Sequence, residues 1–262
     1  MAAEVAMPDT VTLLLLDMDG TVYVGGVVID GVPEALKRWT SAGRKVVFIT
    51  NNTSRTIEQH ALKLQGMGLP ATPNNIVSPV EPTSRFLRDR GVTDVFLVAT
   101  NAVTEEFASH GIAFRGEPQA VVITYDIELT YAKLAEASKL INKGLPYYAT
   151  HIDFFCPTED GPVPDIGSFI AMLENVTGVA PTSVFGKPSD SLVELIRDRY
   201  SLNSLVVGDR LHTDIATGIN AQVPTCLVLT GETSKMMADA SPYQPTIISP
   251  SLPVLIDDLL AR

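Results

Sequence analysis

The sequence predicts an α/β protein built on a doubly wound parallel sheet, with a second α/β domain inserted into the chain. Two observations predict this class. Short apolar runs alternate with helix-like stretches, which is the pattern of βαβ units. Between residues 80 and 182 the pattern changes, but predicted strands and helices still alternate. The segments 78–82 and 178–182 at the two ends of this stretch have the composition of hinges.

The elements of the core follow from apolar runs and helical periodicity. Buried strands are predicted at 11–16, 45–49, 205–207 and 226–229, and helices at 32–42, 54–66, 189–200 and 213–221. In the insert, strands are predicted at 95–99, 120–124 and 147–150, and helices at 103–109, 131–142 and 166–177. The predicted domains are therefore a core of residues 1–79 and 183–262 and an insert of residues 80–182.

Composition limits the class of partner. The chain of 262 residues has a net charge of −11, which argues against nucleic acid and anionic membrane surfaces. Only two cysteines, Cys156 and Cys226, are present, and the chain begins without a signal-peptide pattern, so a cytoplasmic protein is predicted.

The first group of polar residues follows the first predicted strand. Asp17 and Asp19 are two positions apart, so at a strand end their side chains point to one side and can share a site. One carboxylate can attack phosphorus as a nucleophile while the other gives a proton to the leaving oxygen. An isolated Asp-x-Asp-Gly segment is equally expected as a simple turn, so the neighbouring strand ends have to decide.

The other strand ends carry groups that suit a phosphate. The Thr50 hydroxyl and the backbone N–H groups of Asn51 and Asn52 can bind phosphoryl oxygens, although helix capping is the commoner role of such residues. Lys187, followed by a proline, offers a positive charge for the attacking carboxylate and the phosphoryl group. In α/β sheets, ligands bind beyond the carboxyl ends of the strands, where these residues are expected to converge.

Two further carboxylates follow the third predicted strand. Asp209 lies at the strand end and suits direct ligation of Mg²⁺, which prefers oxygen ligands. Asp214, near the start of a helix, can order a metal-bound water or Lys187, or can simply favour the helix N-terminus. No dinucleotide or P-loop motif is present in the sequence.

These motifs resemble the haloacid dehalogenase superfamily of phosphatases. The matching residues are Asp17 to Thr21, Thr50, Lys187, and Gly208-Asp209 with Asp214. The segments 50–55, 185–189 and 208–231 resemble the p-nitrophenyl-phosphatase or NagD-like branch, subfamily IIA. The resemblance implies a Rossmann-like core, and because 137 positions separate Thr50 from Lys187, it implies that the insert is a cap of the C2 type.

The resemblance also implies roles for single residues. Asp17 would be the nucleophile and a magnesium ligand, Asp19 the general acid/base and a ligand through its backbone carbonyl, and Asp209 the third protein ligand. Thr50, Asn51, Asn52 and Lys187 would bind the phosphoryl group, and Lys187 would also be a catalytic residue. Asp214 would not ligate the metal directly but would contact the groups that do. Segment 22–29 would form a β-hairpin flap around Gly25-Gly26.

Within the cap, the specificity candidates implied by the resemblance are Tyr125, Asp126, His151 and Asp153. The chain departs from the branch at three positions: His151 replaces Asn, and Asp165 and Gln222 each replace Gly. The implied activity is Mg²⁺-dependent hydrolysis of a small phosphorylated metabolite, and a homodimer is compatible with the branch.

Three other functions can be compared with phosphate ester hydrolysis on the same residues. A dehalogenase would not need the carboxyl acid that Asp19 supplies, because halide leaves without a proton. A phosphotransferase or mutase on the same core remains an alternative that a product assay distinguishes. A non-catalytic sensor of a phosphate ligand is disfavoured because every expected catalytic group is present.

Overall fold

The computed structural model describes residues 6–158, 160–200 and 203–261 and contains fourteen strands and ten α-helices in these residues. The strands are β1 (Leu13–Leu16), β2 (Tyr23–Val24), β3 (Val27–Val28), β4 (Lys45–Ile49), β5 (Ile76–Val77), β6 (Val95–Val98), β7 (Ala120–Ile123), β8 (Tyr147–Ala149), β9 (Phe155–Cys156), β10 (Val163–Pro164), β11 (Ser183–Val184), β12 (Ser204–Gly208), β13 (Thr225–Val228) and β14 (Ile247–Ser249). The helices are α1 (Val32–Ser41), α2 (Ile57–Gly66), α3 (Val80–Asp89), α4 (Asn101–Ser109), α5 (Tyr131–Asn142), α6 (Ile166–Thr177), α7 (Asp190–Arg199), α8 (Ala216–Ala221), α9 (Lys235–Asp239) and α10 (Leu252–Leu260). A 3-10 turn (Pro73–Asn75) and a π-helical turn (Leu211–Ile215) complete the elements.

The chain divides into two compact units. The first contains Met1–Thr50, Ile57–Val77 and Lys187–Arg262, and the second contains Asn51–Thr56 and Ser78–Gly186. The second unit is thus close in extent to the insert of residues 80–182 expected from the sequence, with the short segment Asn51–Thr56 added.

The first unit is built on a six-stranded parallel sheet in the order β14-β13-β12-β1-β4-β5. Central strand β1 shows why four consecutive leucines form a strand here. Leu14 and Leu16 pack in a cluster with Trp39 of α1, whereas Leu13 and Leu15 pack in another cluster with residues of α7. Because successive side chains point to opposite faces, a strand covered on both faces must be apolar throughout.

The second unit has a smaller parallel sheet in the order β11-β8-β7-β6. Helices α5 and α6 contribute to the apolar cluster on one side of it, and α3 and α4 contribute to another cluster that contains Val122 of β7. Strands β9 and β10 form a separate antiparallel hairpin. The predicted α/β class with a parallel-sheet core is confirmed.

Most predicted elements are found with small shifts, and two expectations were wrong in detail. Segment 78–82, expected to be a hinge, contains the first turn of α3, which begins at Val80. Pro82 is tolerated there because the N–H groups of a first helical turn have no partner within the helix. The helix predicted at 213–221 starts instead with the π-helical turn, and only Ala216–Ala221 is α-helical.

The predicted hairpin is confirmed, since β2 and β3 pair antiparallel with Gly25-Gly26 between them. Gln222 adopts the left-handed conformation after α8, with φ of 55°, which explains why glycine suits that position. Among the residues described, no helix has both the length and the apolar character needed to cross a bilayer.

Gly218 in α8 provides a test of packing in the first unit. A Cβ atom at this position would collide with Cγ2 of Thr225 in β13 and lie 3.1 Å from the Val223 carbonyl oxygen. We expect Gly218→Ala to lower the free energy of unfolding by about 2 kcal/mol, because overpacking displaces neighbours. Gly66→Ala is the matched control: a Cβ there meets nothing within 4 Å, so the helix should gain up to about 1 kcal/mol. Urea denaturation of both variants measures the difference, and equal stabilities would contradict the packing argument.

Candidate active site

The carboxyl ends of neighbouring strands bring two aspartates together. Asp17 follows β1 and Asp209 follows β12, and these strands are paired so that Leu16 lies opposite Val207. The Asp17 N–H donates to the Val207 carbonyl oxygen at 2.9 Å, which continues the ladder by one residue. Asp214 joins them, and one carboxylate oxygen from each of the three residues lies within 4.8 Å of the others.

Lys187 lies between two of these carboxylates. Its Nζ atom donates to Oδ1 of Asp17 and to Oδ1 of Asp214, the latter at 2.6 Å, and the side chain is only 6% exposed. Burial alone lowers the pKa of this lysine, but the negative charges of Asp17 and Asp214 outweigh it and the pKa is raised. The ammonium group therefore stays charged and binds two carboxylates at once.

Asp214 is held by two donors. Its Oδ1 accepts from Lys187, and its Oδ2 accepts from the Arg210 backbone N–H at 3.0 Å. Gly208 permits this arrangement, because a Cβ atom at that position would collide with the Asp214 carboxyl group. Both oxygens of Asp214 are thus engaged with protein donors, which suits the predicted role of ordering Lys187.

Asp209 differs from Asp214 because one of its oxygens is unused. Its Oδ2 accepts from the Glu232 N–H at 2.7 Å, whereas Oδ1 is buried and has no hydrogen-bond partner among the residues that the structure describes. Gly20 and Gly231 both face this carboxylate, and a Cβ atom at either position would overlap it. The glycines that follow Asp19 and Thr230 therefore leave room for the Asp209 side chain.

The cluster carries more negative than positive charge, and the pKa values reflect this. Burial, followed by repulsion from Asp214, raises the pKa of Asp17 to about 8, even though Lys187 acts in the opposite direction. Burial and Asp214 likewise raise the pKa of Asp209 to about 6. Three carboxylates with one lysine are therefore short of positive charge at neutral pH.

A hard divalent cation fits this deficit. Asp17 and Asp209 offer carboxylate oxygens, and the described part of the chain gives the buried Oδ1 of Asp209 no donor. Oxygen ligands of this kind suit Mg²⁺, which commonly takes one or two protein carboxylates and completes its shell with water and phosphate oxygens. The residues present therefore fit the metal site expected from the sequence.

Asp19 lies close by in the chain but in a different environment. Its Oδ1 accepts from the Gly25 N–H of the β2–β3 turn at 3.4 Å, and its side chain does not belong to the carboxylate cluster. Burial raises the pKa of Asp19, while the Gly25 hydrogen bond and the charge of Lys63 lower it. A raised pKa is the property that a general acid requires.

The predicted phosphate-binding residues lie in the sequence where one unit ends and the other begins: Thr50 belongs to the first unit, and Asn51 and Asn52 belong to the second. Thr50 follows β4, and its N–H donates to the Val77 carbonyl oxygen at 3.0 Å. Asn52 forms a local turn, since its Oδ1 accepts from both the N–H and the hydroxyl of Ser54. Asn51 donates from Nδ2 to Oδ2 of Asp153 at 3.2 Å, within the second unit.

The specificity candidates separate into two groups. His151 and Asp153 lie together, with Nδ1 of the histidine accepting from the Asp153 N–H at 3.3 Å. Asp126 instead forms a buried ion pair with Lys133 at 2.7 Å, a contact that fixes the start of α5. Burial, followed by a contact with Cys156, raises the pKa of Tyr125, so its hydroxyl stays neutral.

Asp165 was noted in the sequence only as a departure from the branch. In the structure it caps α6, because its Oδ1 accepts from the Ile166 N–H at 2.6 Å, and the same atom lies 3.5 Å from Nε2 of His151. An aspartate immediately before an amphipathic run is a recognisable N-cap pattern. Its proximity to His151 has no signal in the sequence.

Comparison with known proteins identifies the class. The profile described as haloacid dehalogenase-like hydrolase matches residues 14–113, and a second, described as HAD-hydrolase-like, matches residues 184–255. The chain is 33% identical over 226 residues to the 5'-nucleotidase YutF of Bacillus subtilis, covering 84% of this chain and 88% of that protein. The chain therefore belongs to the haloacid dehalogenase-like hydrolase family.

Solved structures locate the chain within that family. The 4-nitrophenylphosphatase of Thermotoga maritima is 34% identical with a TM-score of 0.88, and 94% of this chain and 97% of that chain are covered. The glycerol phosphate phosphatase of Mycobacterium tuberculosis, solved in complex with magnesium, is 33% identical with a TM-score of 0.85, covering 93% of this chain and 76% of that chain. The chain falls in the p-nitrophenyl-phosphatase or NagD-like branch.

The charge deficit of the cluster predicts the behaviour of an Asp209→Asn variant. Folding raises the pKa of Asp209 from 3.8 to about 6. Below pH 4 the carboxyl group is protonated in both the folded and the unfolded state, so its burial does not reduce stability. As the pH rises through about 6, the folded protein loses stability because the buried group must ionise. Without metal, the variant should therefore match the wild type at pH 4 and exceed it at pH 7.5, by up to about 2 kcal/mol. Thermal melts in EDTA at both pH values measure this.

The same melts with added Mg²⁺ provide the control for the metal site. Ligand binding to the folded state raises the midpoint of the wild type, and the variant, which lacks a ligand charge, should gain less. A metal-free variant that is less stable than the wild type at pH 7.5 would contradict the charge-deficit argument.

Proposed function

We propose that this chain hydrolyses small phosphomonoesters in a Mg²⁺-dependent reaction, with a phospho-aspartyl intermediate on Asp17. The observation that carries the proposal is the cluster of Asp17, Lys187, Asp209 and Asp214 at the carboxyl ends of β1 and β12. The names of the related proteins support the reaction class, because a nucleotidase, a nitrophenylphosphatase and a glycerol phosphate phosphatase all cleave phosphate esters.

In the first step, a carboxylate oxygen of Asp17 attacks phosphorus and the bond from phosphorus to the ester oxygen breaks. Lys187 is bonded to the attacking carboxylate, so its positive charge can offset the negative charge of the phosphoryl group. Asp19, with its raised pKa, gives a proton to the departing oxygen. The products of this step are the free alcohol and the phosphorylated Asp17.

In the second step, water attacks the phosphorylated Asp17 and inorganic phosphate leaves. Asp19, now deprotonated, takes the proton from this water, which restores its starting state. Thr50, Asn51 and Asn52 are proposed to bind phosphoryl oxygens in both steps. The cycle therefore consumes one ester and one water and returns Asp17 unmodified.

The proposal includes Mg²⁺ held by Asp17, Asp209 and the backbone carbonyl of Asp19, with Asp214 ordering Lys187. When bound, the cation supplies positive charge that favours the ionised form of Asp17 and offsets the charge of the phosphate. The buried Oδ1 of Asp209 and the raised pKa of Asp17 both support such a site.

We assign residues 80–182 the role of a cap that selects the leaving group. Related proteins of the same fold are named for different esters, which supports a division between a shared chemical site and a variable selecting part. A cytoplasmic location and a small metabolite as substrate remain predictions from the sequence. A product assay that separates inorganic phosphate from transferred phosphate tests hydrolysis against the phosphotransferase alternative.

Asp17→Asn should abolish Mg²⁺-dependent hydrolysis of p-nitrophenyl phosphate, with a loss of at least about 10³-fold in kcat, because an amide is not a nucleophile. Initial rates with and without Mg²⁺ measure the loss, and circular dichroism checks the fold. Asp239→Asn, an exposed substitution of the same type, is the matched control and should keep full activity. Near-normal turnover by Asp17→Asn would refute the nucleophile assignment.

Asp19→Asn should affect poor leaving groups more than good ones. Nitrophenolate leaves without a proton, whereas a sugar alkoxide needs one, so the loss in kcat/KM should be about 100-fold greater for a sugar phosphate. Parallel kinetics on p-nitrophenyl phosphate and a sugar phosphate give this ratio. Equal losses for the two substrates would count against Asp19 as the general acid.

A further inference from the structure

His151 is a buried histidine of the second unit that lies between two carboxylates. Its side chain is 1% exposed, its Nε2 is 3.5 Å from Oδ1 of Asp165, and its Nδ1 is 3.6 Å from Oδ2 of Asp153. A ring so enclosed by protein is poorly placed to contact a leaving group directly. Any effect of His151 on the reaction would have to pass through its neighbours.

The contacts of Nδ1 show how the ring meets Asp153. The Asp153 N–H donates to Nδ1 at 3.3 Å, which requires an unprotonated nitrogen, whereas an ion pair with Oδ2 of Asp153 at 3.6 Å would require a protonated one. The hydrogen bond is shorter and meets the geometric requirements of a donor and acceptor. Nδ1 therefore acts as an acceptor for the Asp153 N–H, and on the other side of the ring Nε2 lies 3.5 Å from Oδ1 of Asp165.

Asp165 and the first turn of α6 fix the loop that carries His151 and Asp153. The Gly167 N–H donates to the Asp153 carbonyl oxygen at 2.9 Å, and the Asp165 N–H donates to the Phe154 carbonyl oxygen at 3.0 Å. A Cβ atom on Gly167 would lie 2.5 Å from the Ile152 carbonyl oxygen, so glycine permits this close approach. The loop is therefore held by backbone contacts as well as by His151.

The Asp153 carboxylate in turn orients Asn51. Asn51 donates from Nδ2 to Oδ2 of Asp153 at 3.2 Å, which fixes which end of the amide faces the carboxylate. Gly186 borders the opposite end, since a Cβ atom there would lie 2.6 Å from Oδ1 of Asn51 and 2.8 Å from Cβ of His151. Asp165, His151, Asp153 and Asn51 thus form one continuous series of contacts inside the second unit.

We propose that His151 and Asp165 are positioning residues for phosphoryl binding, which act by holding Asp153 and, through it, the side chain of Asn51. This inference rests on the proposed function, because it takes Asn51 as a phosphoryl-binding residue. It assigns His151 a role in affinity for the phosphoryl group, which all substrates share, and not in choice of the leaving group.

The test measures inorganic phosphate as a competitive inhibitor of p-nitrophenyl phosphate hydrolysis in the full-length enzyme with Mg²⁺. His151→Leu removes both ring nitrogens, and we expect it to weaken phosphate inhibition about tenfold, as the loss of an orienting hydrogen bond would. Because it disturbs binding and not the reacting groups, kcat should change by less than about twofold. Asn51→Ala should weaken inhibition to a similar extent.

Two further variants separate positioning from general damage. Asp165→Asn keeps an oxygen that can accept from the Ile166 N–H and lie beside Nε2 of His151, so it should retain phosphate affinity, whereas Asp165→Ala should behave like His151→Leu. Thr124→Val, which removes a buried hydrogen bond to Val98 in the same unit, is the structural control. It should lower the thermal midpoint without changing phosphate inhibition.

The double variant His151→Leu with Asn51→Ala should be no weaker in phosphate inhibition than either single variant, because both act through the same amide. Additive losses, or unchanged phosphate inhibition in His151→Leu, would overturn the inference. An inactive wild type would instead refute the proposed function. An active wild type in which Asn51→Ala leaves phosphate inhibition unchanged would refute only the positioning role.

Discussion

The contact of Lys187 with Asp17 and Asp214 is the interaction on which the rest of this site depends. A buried carboxylate without a partner costs several kcal/mol, and this site holds the buried Asp209 and Asp214 beside Asp17, whose side chain is 13% exposed. Lys187 engages Oδ1 of Asp17 and Oδ1 of Asp214, and the backbone N–H groups of Arg210 and Glu232 engage Oδ2 of Asp214 and Oδ2 of Asp209. Among the described residues, the buried Oδ1 of Asp209 has no donor. These donors stabilise the carboxylates in the folded protein, but the negative charge of the site still exceeds its positive charge. This excess favours binding of a metal cation.

The fold supplies this contact through the end of a parallel sheet. Strands β1 and β12 are neighbours, so the residues that follow them meet without any long side chain having to reach across. Small residues then make room: glycines at 20, 208 and 231 leave space for the carboxylates of Asp209 and Asp214. The apolar strands contribute rigidity, since both faces of β1 are covered.

Much of the fold could be predicted because the elements are locally consistent. Strand Lys45–Ile49 and helices Tyr131–Asn142 and Ile166–Thr177 have the predicted bounds, since their apolar periodicity is strong and their ends carry capping signals. Helix α3 was missed because two prolines and a serine look like a hinge, although prolines fit before and within a first helical turn. The π-helical turn at Leu211–Ile215 was missed because its hydrogen bonding has no distinct sequence pattern.

The sequence by itself determined the class of fold and the residue types at the strand ends, because hydrophobic periodicity and strand termination are local properties. Only the tertiary structure decided which of those residues meet. Asp214 joins Asp17 and Asp209 in the carboxylate cluster, Asp126 pairs with Lys133, and His151 faces Asp165. These contacts depend on how a loop packs against the start of a helix or on where two strands lie side by side, which hydrophobic periodicity does not reveal. The two departures at 151 and 165 show this most clearly, since they are fourteen positions apart in the sequence and 3.5 Å apart in the fold.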